Sequence, residues 1–438
     1  MSHRAWLCTA LVLISGPLSG AEILRVAQRA EPKTLNPVTA LDAPSREVLR
    51  RLHADLVSIN RSTQRTELAL AESATLSRDG TRYVVKLRRG LRFSDGHPFT
   101  AEDVLFSFAV YLDPAVASPQ RDLLIVHGQP IEVRKLDELT VAFRTAAPYA
   151  VTDRLFDSVA MLPRHKLEAA WRAGAIRQAW PVTAPAAEVV GLGPFRLKQY
   201  APGEQILVER NPFYYRRPLP RLDGISFRLL ADEDTQLARF VSGDLDLLSR
   251  LNPKAVAYLT SRGTPVDDLG PGLEYNFVCF NTTSGPQAAW LARPEFVRAL
   301  SLAVDRESLA RLVFRGRAAP LWGHVSPGNQ LWFHRSLARP ARNVAAAQRL
   351  LASAGFREVG GVLQDSSGRP VAFSVLVSGS SPERQQMAAM LREDWKELGI
   401  AMTPVALEFR TLIERVMTSR QFEACLLGLG GGDADPNP

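Results

Sequence analysis

Two hydrophobic periods interleave along this chain. Runs in which every second residue is apolar mark half-buried strands, and runs spaced at about 3.6 mark helices with one buried face. Tyr83, Val85 and Leu87 follow an Asp79-Gly80 turn and predict a strand entered from a hairpin. Thr100, with Asp103 three residues on, predicts a capped helix start, and Val104, Leu105, Phe108 and Ala109 supply its apolar face. A further pair of strands surrounds Asp137-Glu138, with Leu139, Val141 and Phe143 on the second, so this region reads as a compact α+β lobe.

From Gly191 the pattern restarts. Phe195 and Leu197, then Ile206 and Val208, flank Pro202-Gly203 as an antiparallel pair, and Ile225, Phe227 and Leu229 make another strand. Asp232 or Asp234 caps a short helix that Gly243 ends, and residues 244–248 look like strand again, which predicts a βαβ unit. The final stretch is the most regular. A strand through Phe373, Val375 and Val377 leads to a Ser381-capped helix carrying Met387, Leu391, Trp395 and Leu398 and ending at Gly399. Residues 400–407 predict a second strand, 412–417 a second helix and 422–429 a third strand. Such alternation implies right-handed crossovers and a largely parallel sheet, whose ligands bind beyond the carboxyl ends of its strands. The glycine-rich, acidic segment 430–435, which leaves the third strand, is therefore the first candidate site.

The N-terminus adds a compartment. His3 and Arg4, an apolar run from Ala5 to Ile14, and then Ser19, Gly20 and Ala21 read as a secretory signal, with cleavage expected after Ala21. The run is about half the length of a membrane-spanning helix, and Gly16 and Pro17 end it. No later stretch is long and apolar enough to span, so a soluble periplasmic protein is expected. Cys8 would be discarded with the leader, which argues against a lipid anchor. Cys279 and Cys425 remain, each in a predicted strand. An oxidising compartment permits a bond between them, but apolar-strand cysteines are read here as unbonded core residues.

The length of 438 residues suggests two or three domains. The net charge of +8 is spread along the chain rather than gathered into a basic helix, so it reads as solvated surface charge with no nucleic-acid partner. The histidines are dispersed, and there is no CxxC, no G-x-S-x-G elbow and no phosphate-binding loop. Asp433 stands where a dinucleotide-binding loop beginning at Gly428 needs its last glycine. No enzyme chemistry, cofactor or metal is expected. Asp232, Glu233 and Asp234 read as a helix cap rather than a cation site. Asp433 and Asp435 differ, because no helix is signalled after them. Either could pair with a cationic group such as an amino terminus, or both could form a solvated acidic loop.

Several motifs, in order along the chain, resemble the bacterial extracellular solute-binding proteins of the oligopeptide, dipeptide and nickel type (family 5), the substrate-binding proteins of ABC importers. They are LRRGLRFSDGHPFTAEDVLFSF (87–108), GLGPFRL (191–197) with RNPFYY (210–215), SGDLD (242–246), FNTTSGP (280–286) with FVRALSLAVDRESLARLVFRGRAAP (296–320), and AAAQRLLASAGF (345–356). Each is a scaffold motif, with glycine and proline setting turns and apolar residues filling a core; together they point to fold and class rather than to the ligand.

The resemblance implies an α/β fold of the type II periplasmic binding protein kind: two main α/β lobes around a cleft, plus a smaller α+β domain. After the signal peptide (1–21), domain I takes residues 22–55 and 186–270, domain II 56–185 and domain III 271–438, with hinge closure around the ligand. Carried onto this chain, the ligand-lining candidates are Thr39, Ala40 and Leu41, then Glu274, Tyr275 and Asn276, then Asp433 and Asp435. The partners implied are a small solute, an oligopeptide or dipeptide first, and an ABC permease in the inner membrane, for a protein acting as a monomer. Two departures stand out. Aligning on Asp435-Pro436 puts Gly432, without a nearby Trp, where peptide binders of the family carry an amine-binding Asp. Family members also continue past this loop, so the C-terminal part is expected to be missing. A nickel chelate, a haem-like molecule or an oligosaccharide are alternative ligands within the class, the last favoured if Trp322, Trp332 and Tyr275 line the cleft. A periplasmic hydrolase is the alternative outside it, and a sensor built on the same fold would need an attached signalling domain that is not visible.

Overall fold

In the Arg82–Leu87 strand, Tyr83, Val85 and Leu87 are buried while Arg82 and Lys86 face solvent. It pairs antiparallel with Ala71–Leu76 across the Asp79-Gly80 turn and with Thr140–Arg144 on its other side; Glu132–Asp137 completes the sheet. Helix Ala101–Leu112 packs against this sheet and begins with a full capping box. The Thr100 hydroxyl accepts from the Glu102 amide at 3.3 Å, and the Asp103 carboxylate accepts from the Thr100 amide at 2.9 Å. Satisfying these otherwise orphaned donors is worth about 1 kcal/mol.

This computed structural model describes residues 22–60, 62–149, 155–157 and 159–429. It divides into two units: the first holds the chain up to Arg250, and the second holds the chain from Leu251 together with Ser62–Gln64. The first unit has another four-stranded sheet, built from distant parts of the chain. Ile23–Gln28 lies parallel to Gly224–Leu229, which pairs antiparallel with Gln205–Arg210, itself paired with Phe195–Ala201. Helix Glu233–Val241 follows, capped by Asp232, whose Oδ1 accepts from the Thr235 amide at 2.7 Å. One buried cluster runs through both sheets and includes Phe93, Phe108, Phe143, Phe156, Phe195 and Phe227.

The strand expected over 244–248 does not form. Leu247 makes a single parallel bridge to Val26, and its side chain is half exposed. Asp246 instead binds Arg25, accepting from its amide at 2.7 Å and from its guanidinium at 2.6 Å. A polar anchor replaces the ladder, and the βαβ unit ends in one bridge.

In the second unit the sheet order is Tyr275–Phe280, Ala424–Leu429, Ala372–Ser378, Ala401–Leu407. The last three are mutually parallel, as the strand–helix alternation implies, whereas Tyr275–Phe280 is an antiparallel edge strand. Helix Pro382–Lys396 covers the sheet with Met387, Ala388, Leu391 and Trp395, and the Trp395 Nε1 donates to the Leu300 carbonyl at 3.1 Å. The second helix, Phe409–Ile413, continues as a π-helical turn over Glu414–Thr418. Residues 1–21, where a signal segment is expected, and the segment holding Asp433 and Asp435 lie outside the described residues.

Candidate functional site

Parallel strands end together, and in the second unit their carboxyl edge gathers chemistry from three elements. Ala372–Ser378 ends in a turn where the Ser378 and Ser380 hydroxyls are 2.9 Å apart, and Ser381 then caps helix Pro382–Lys396. Arg384, in the first turn of that helix, reaches across the sheet, and its Nε donates to Asn276 Oδ1 at 3.0 Å. Because the edge strand is antiparallel, its beginning lies at this same edge, with Tyr275 opposite Leu429 and Asn276 opposite Gly428.

Gly428 is what lets the guanidinium lie there. A Cβ on it would collide with Arg384 Nη2 and come within 2.9 Å of Asn276 Oδ1. Among the described residues Arg384 forms no ion pair, so a half-buried cation sits at the helix N-terminus with no carboxylate of its own. A fork-shaped guanidinium beside a positive helix end is suited to a carboxylate ligand. Beside it, among the described residues, the outer edge of Tyr275–Phe280 pairs with no other strand, and main-chain groups along such an edge suit an extended ligand.

The sequence-derived residues fall as follows. Tyr275 and Asn276 begin the edge strand, and Glu274 immediately precedes it. Thr39, Ala40 and Leu41 belong to the first unit, in the loop before helix Ala43–Leu52; Ala40 is buried and Leu41 is 68% exposed. Trp322 lies against Arg306 and Arg339 and donates to the Pro340 carbonyl at 3.2 Å, inside the second unit. Arg384 was not foreseen. Its signal was available as a cation in the first turn of a helix that follows a strand end, a place where acidic residues are usual. A cavity of about 630 Å³, with Arg415, Arg420 and Glu423 among its lining, opens at the opposite, amino edge of the same sheet. Among the described residues, no group of three or more His, Cys, Asp or Glu is arranged to hold a metal, and no helix is long and apolar enough to cross a membrane.

The second unit thus joins a mixed α/β scaffold to an edge strand with a helix N-terminus beside it. Solved structures share it. A substrate-binding protein of an ABC transporter from Listeria monocytogenes, CtaP, superposes with a TM-score of 0.79 over 93% of this chain and 79% of its own, at 23% identity. The oligopeptide-binding protein AppA of Bacillus subtilis, solved with a nonapeptide, gives 0.72 over 95% and 81%, at 24% identity. These neighbours give the fold, that of type II periplasmic binding proteins. Residues 65–438 match the family described as bacterial extracellular solute-binding proteins, family 5 Middle, and the chain belongs to that family. In sequence it is 26% identical to AppA of Bacillus subtilis over 427 residues (94% of this chain, 74% of AppA). It is 25% identical to a di/tripeptide-binding protein of Pseudomonas aeruginosa over 453 aligned positions (99% and 81%).

Proposed function

We propose that this chain is the solute-capturing component of an ABC importer, that its ligand is peptide-like, and that Arg384 receives the ligand's carboxylate while the Tyr275–Phe280 edge strand pairs with its backbone. The observation that carries this reading is the placement of Arg384: held by Asn276, cleared by Gly428, and without an ion pair among the described residues. Relatives named for oligopeptide, di/tripeptide and glutathione binding support the ligand class. The role ends in handing the solute to a permease, with no covalent chemistry. Glu274 belongs to the proposed lining at this edge; Thr39 to Leu41, Asp433 and Asp435 are the further lining residues that the family resemblance implies.

The test is calorimetric titration and thermal shift with di- to nonapeptides, each as free acid and as C-terminal amide. Free acids should raise the melting temperature, and amidation or Arg384→Ala should weaken binding about 10- to 100-fold, the loss of a charge-assisted pair. Because a chelate also presents carboxylates, nickel–histidine is included. If peptides of every length leave the melting temperature unchanged while the chelate raises it, the peptide reading fails and the chelate replaces it.

A further inference from the structure

Cys279 and Cys425 are 146 residues apart in sequence. They stand directly opposite one another where Tyr275–Phe280 pairs with Ala424–Leu429. Their sulfurs are 2.8 Å apart, and the two cysteines are unbonded in this structure. Directly opposed residues in an antiparallel ladder have Cα atoms about 4.5–5.5 Å apart, inside the ~4.4–6.8 Å span that a disulfide requires. Bonding therefore asks for no movement of the strands. Leu376, Leu412 and Val416 share a buried cluster with Cys425, and Cys279 packs against it from a partly exposed position. The family is extracellular, and disulfides persist in that setting.

We propose that Cys279 and Cys425 form a cross-strand disulfide in the exported protein, fastening the edge strand Tyr275–Phe280 to the strand that leads into residue 430. The chemistry is exchange with a thiol oxidoreductase that carries a reactive disulfide. The Cys279 thiolate attacks one donor sulfur, and the other donor sulfur leaves as a thiolate. Cys425 then loses its proton and attacks the Cys279 sulfur, forming the protein bond and releasing the first donor sulfur. Two thiols are oxidised, one donor disulfide is reduced, and the two protons end on the donor dithiol. Cys279 is the point of attack because it is partly exposed whereas Cys425 is fully buried. The hydrogen bond from Cys425 also holds the Cys279 thiol below its ordinary range, while the same contact and burial push Cys425 up.

The consequence is local. Ala424–Leu429 is the only described strand that pairs with the edge strand, so the bond fixes the register that sets Asn276 beside Gly428. The inference does not depend on which solute is bound.

The test takes the full chain exported to the periplasm of a bacterial host and purified without reductant. The protein is denatured, treated with N-ethylmaleimide and digested for peptide mass spectrometry. A linked peptide pair containing Cys279 and Cys425, with neither modified until reductant is added, is the expected result. Complete modification of both cysteines without reductant, or the bonding of either to a different thiol, overturns the proposal. Thermal unfolding gives an independent reading. Reduction should lower the melting temperature of the wild type by roughly 5–15 °C, as loss of a disulfide closing a long loop does. It should not move that of a Cys279→Ala/Cys425→Ala variant, and a wild type equally insensitive to reductant counts against the bond.

Discussion

His53 lies against Trp180 with ring centroids 5.8 Å apart and planes 21° from parallel, and neither of its ring nitrogens has a hydrogen-bond partner. Burial with nothing to stabilise the charged form pushes its pKa from 6.5 down to about 4. The unfolded chain then binds a proton that the folded one refuses between those values. Stability is complete above pH 6.5 and is lost as pH falls towards 4. Each pH unit is worth about 1.4 kcal/mol, so the total loss is roughly 3 kcal/mol. Urea unfolding between pH 7 and pH 4 should show this slope. His53→Leu, which removes the titrating ring, should flatten that part of it.

A second prediction concerns the chain that passes beside His53. A Cβ on Gly191 would collide with the Leu52 carbonyl and come within 2.8 Å of His53 Nδ1, and one on Gly193 would collide with the Arg51 carbonyl. The two carbonyls are backbone atoms at the end of a packed helix, which cannot yield as a flexible side chain does. Gly191→Ala and Gly193→Ala should each cost about 3 kcal/mol, at the upper end of overpacking effects. Alanine at Gly203, whose Cβ would meet nothing within 4 Å, is the control for crowding alone; its φ of +72° carries a smaller strain cost.

The anchor between Asp246 and Arg25 makes a third case. Asp246 accepts from both the amide and the guanidinium of Arg25, with both side chains about one-third exposed. Asp246→Ala should cost about 1 kcal/mol, because partial exposure tempers the charged bonds. Asp246→Asn should cost less, since an amide oxygen can still accept from the Arg25 backbone. Denaturant midpoints of the two variants at low and high salt separate the ionic share from the backbone share.

Function and stability should come apart at Gly428. The atoms that a new Cβ would strike there belong to the ends of the Arg384 and Asn276 side chains, and those ends can swing away. Gly428→Ala should shift the melting temperature little and weaken solute binding about tenfold, because the guanidinium is displaced. Calorimetry beside a thermal melt distinguishes this from general destabilisation.

Local chemistry carried much of the fold into view. The Thr100–Asp103 box, the Asp232 cap and the alternation through Phe373, Val375 and Val377 all depend on residues within one turn or one strand of each other. Segment 244–248 misled because its alternation resembled a strand, while the decisive contact, Asp246 to Arg25, spans 221 residues. The candidate site was legible only in its strand. Arg384 gains its meaning from Asn276, 108 residues earlier, and from an antiparallel edge strand whose direction no local pattern encodes. The facing of Cys279 and Cys425 was hidden for the same reason, since both looked like ordinary core residues.

The pairing of Ile23–Gln28 with Gly224–Leu229 sets an order of events for a chain that emerges amino end first, whether from a ribosome or through a membrane pore. The first strand has no partner until some 200 residues have followed it, and closing so distant a contact is slow. The hairpins and helix between them can assemble meanwhile, but that sheet stays unfinished, with an open edge that invites wrong pairing. A leader or a chaperone that keeps this strand occupied during transit would therefore govern the yield of folded protein without altering its final stability.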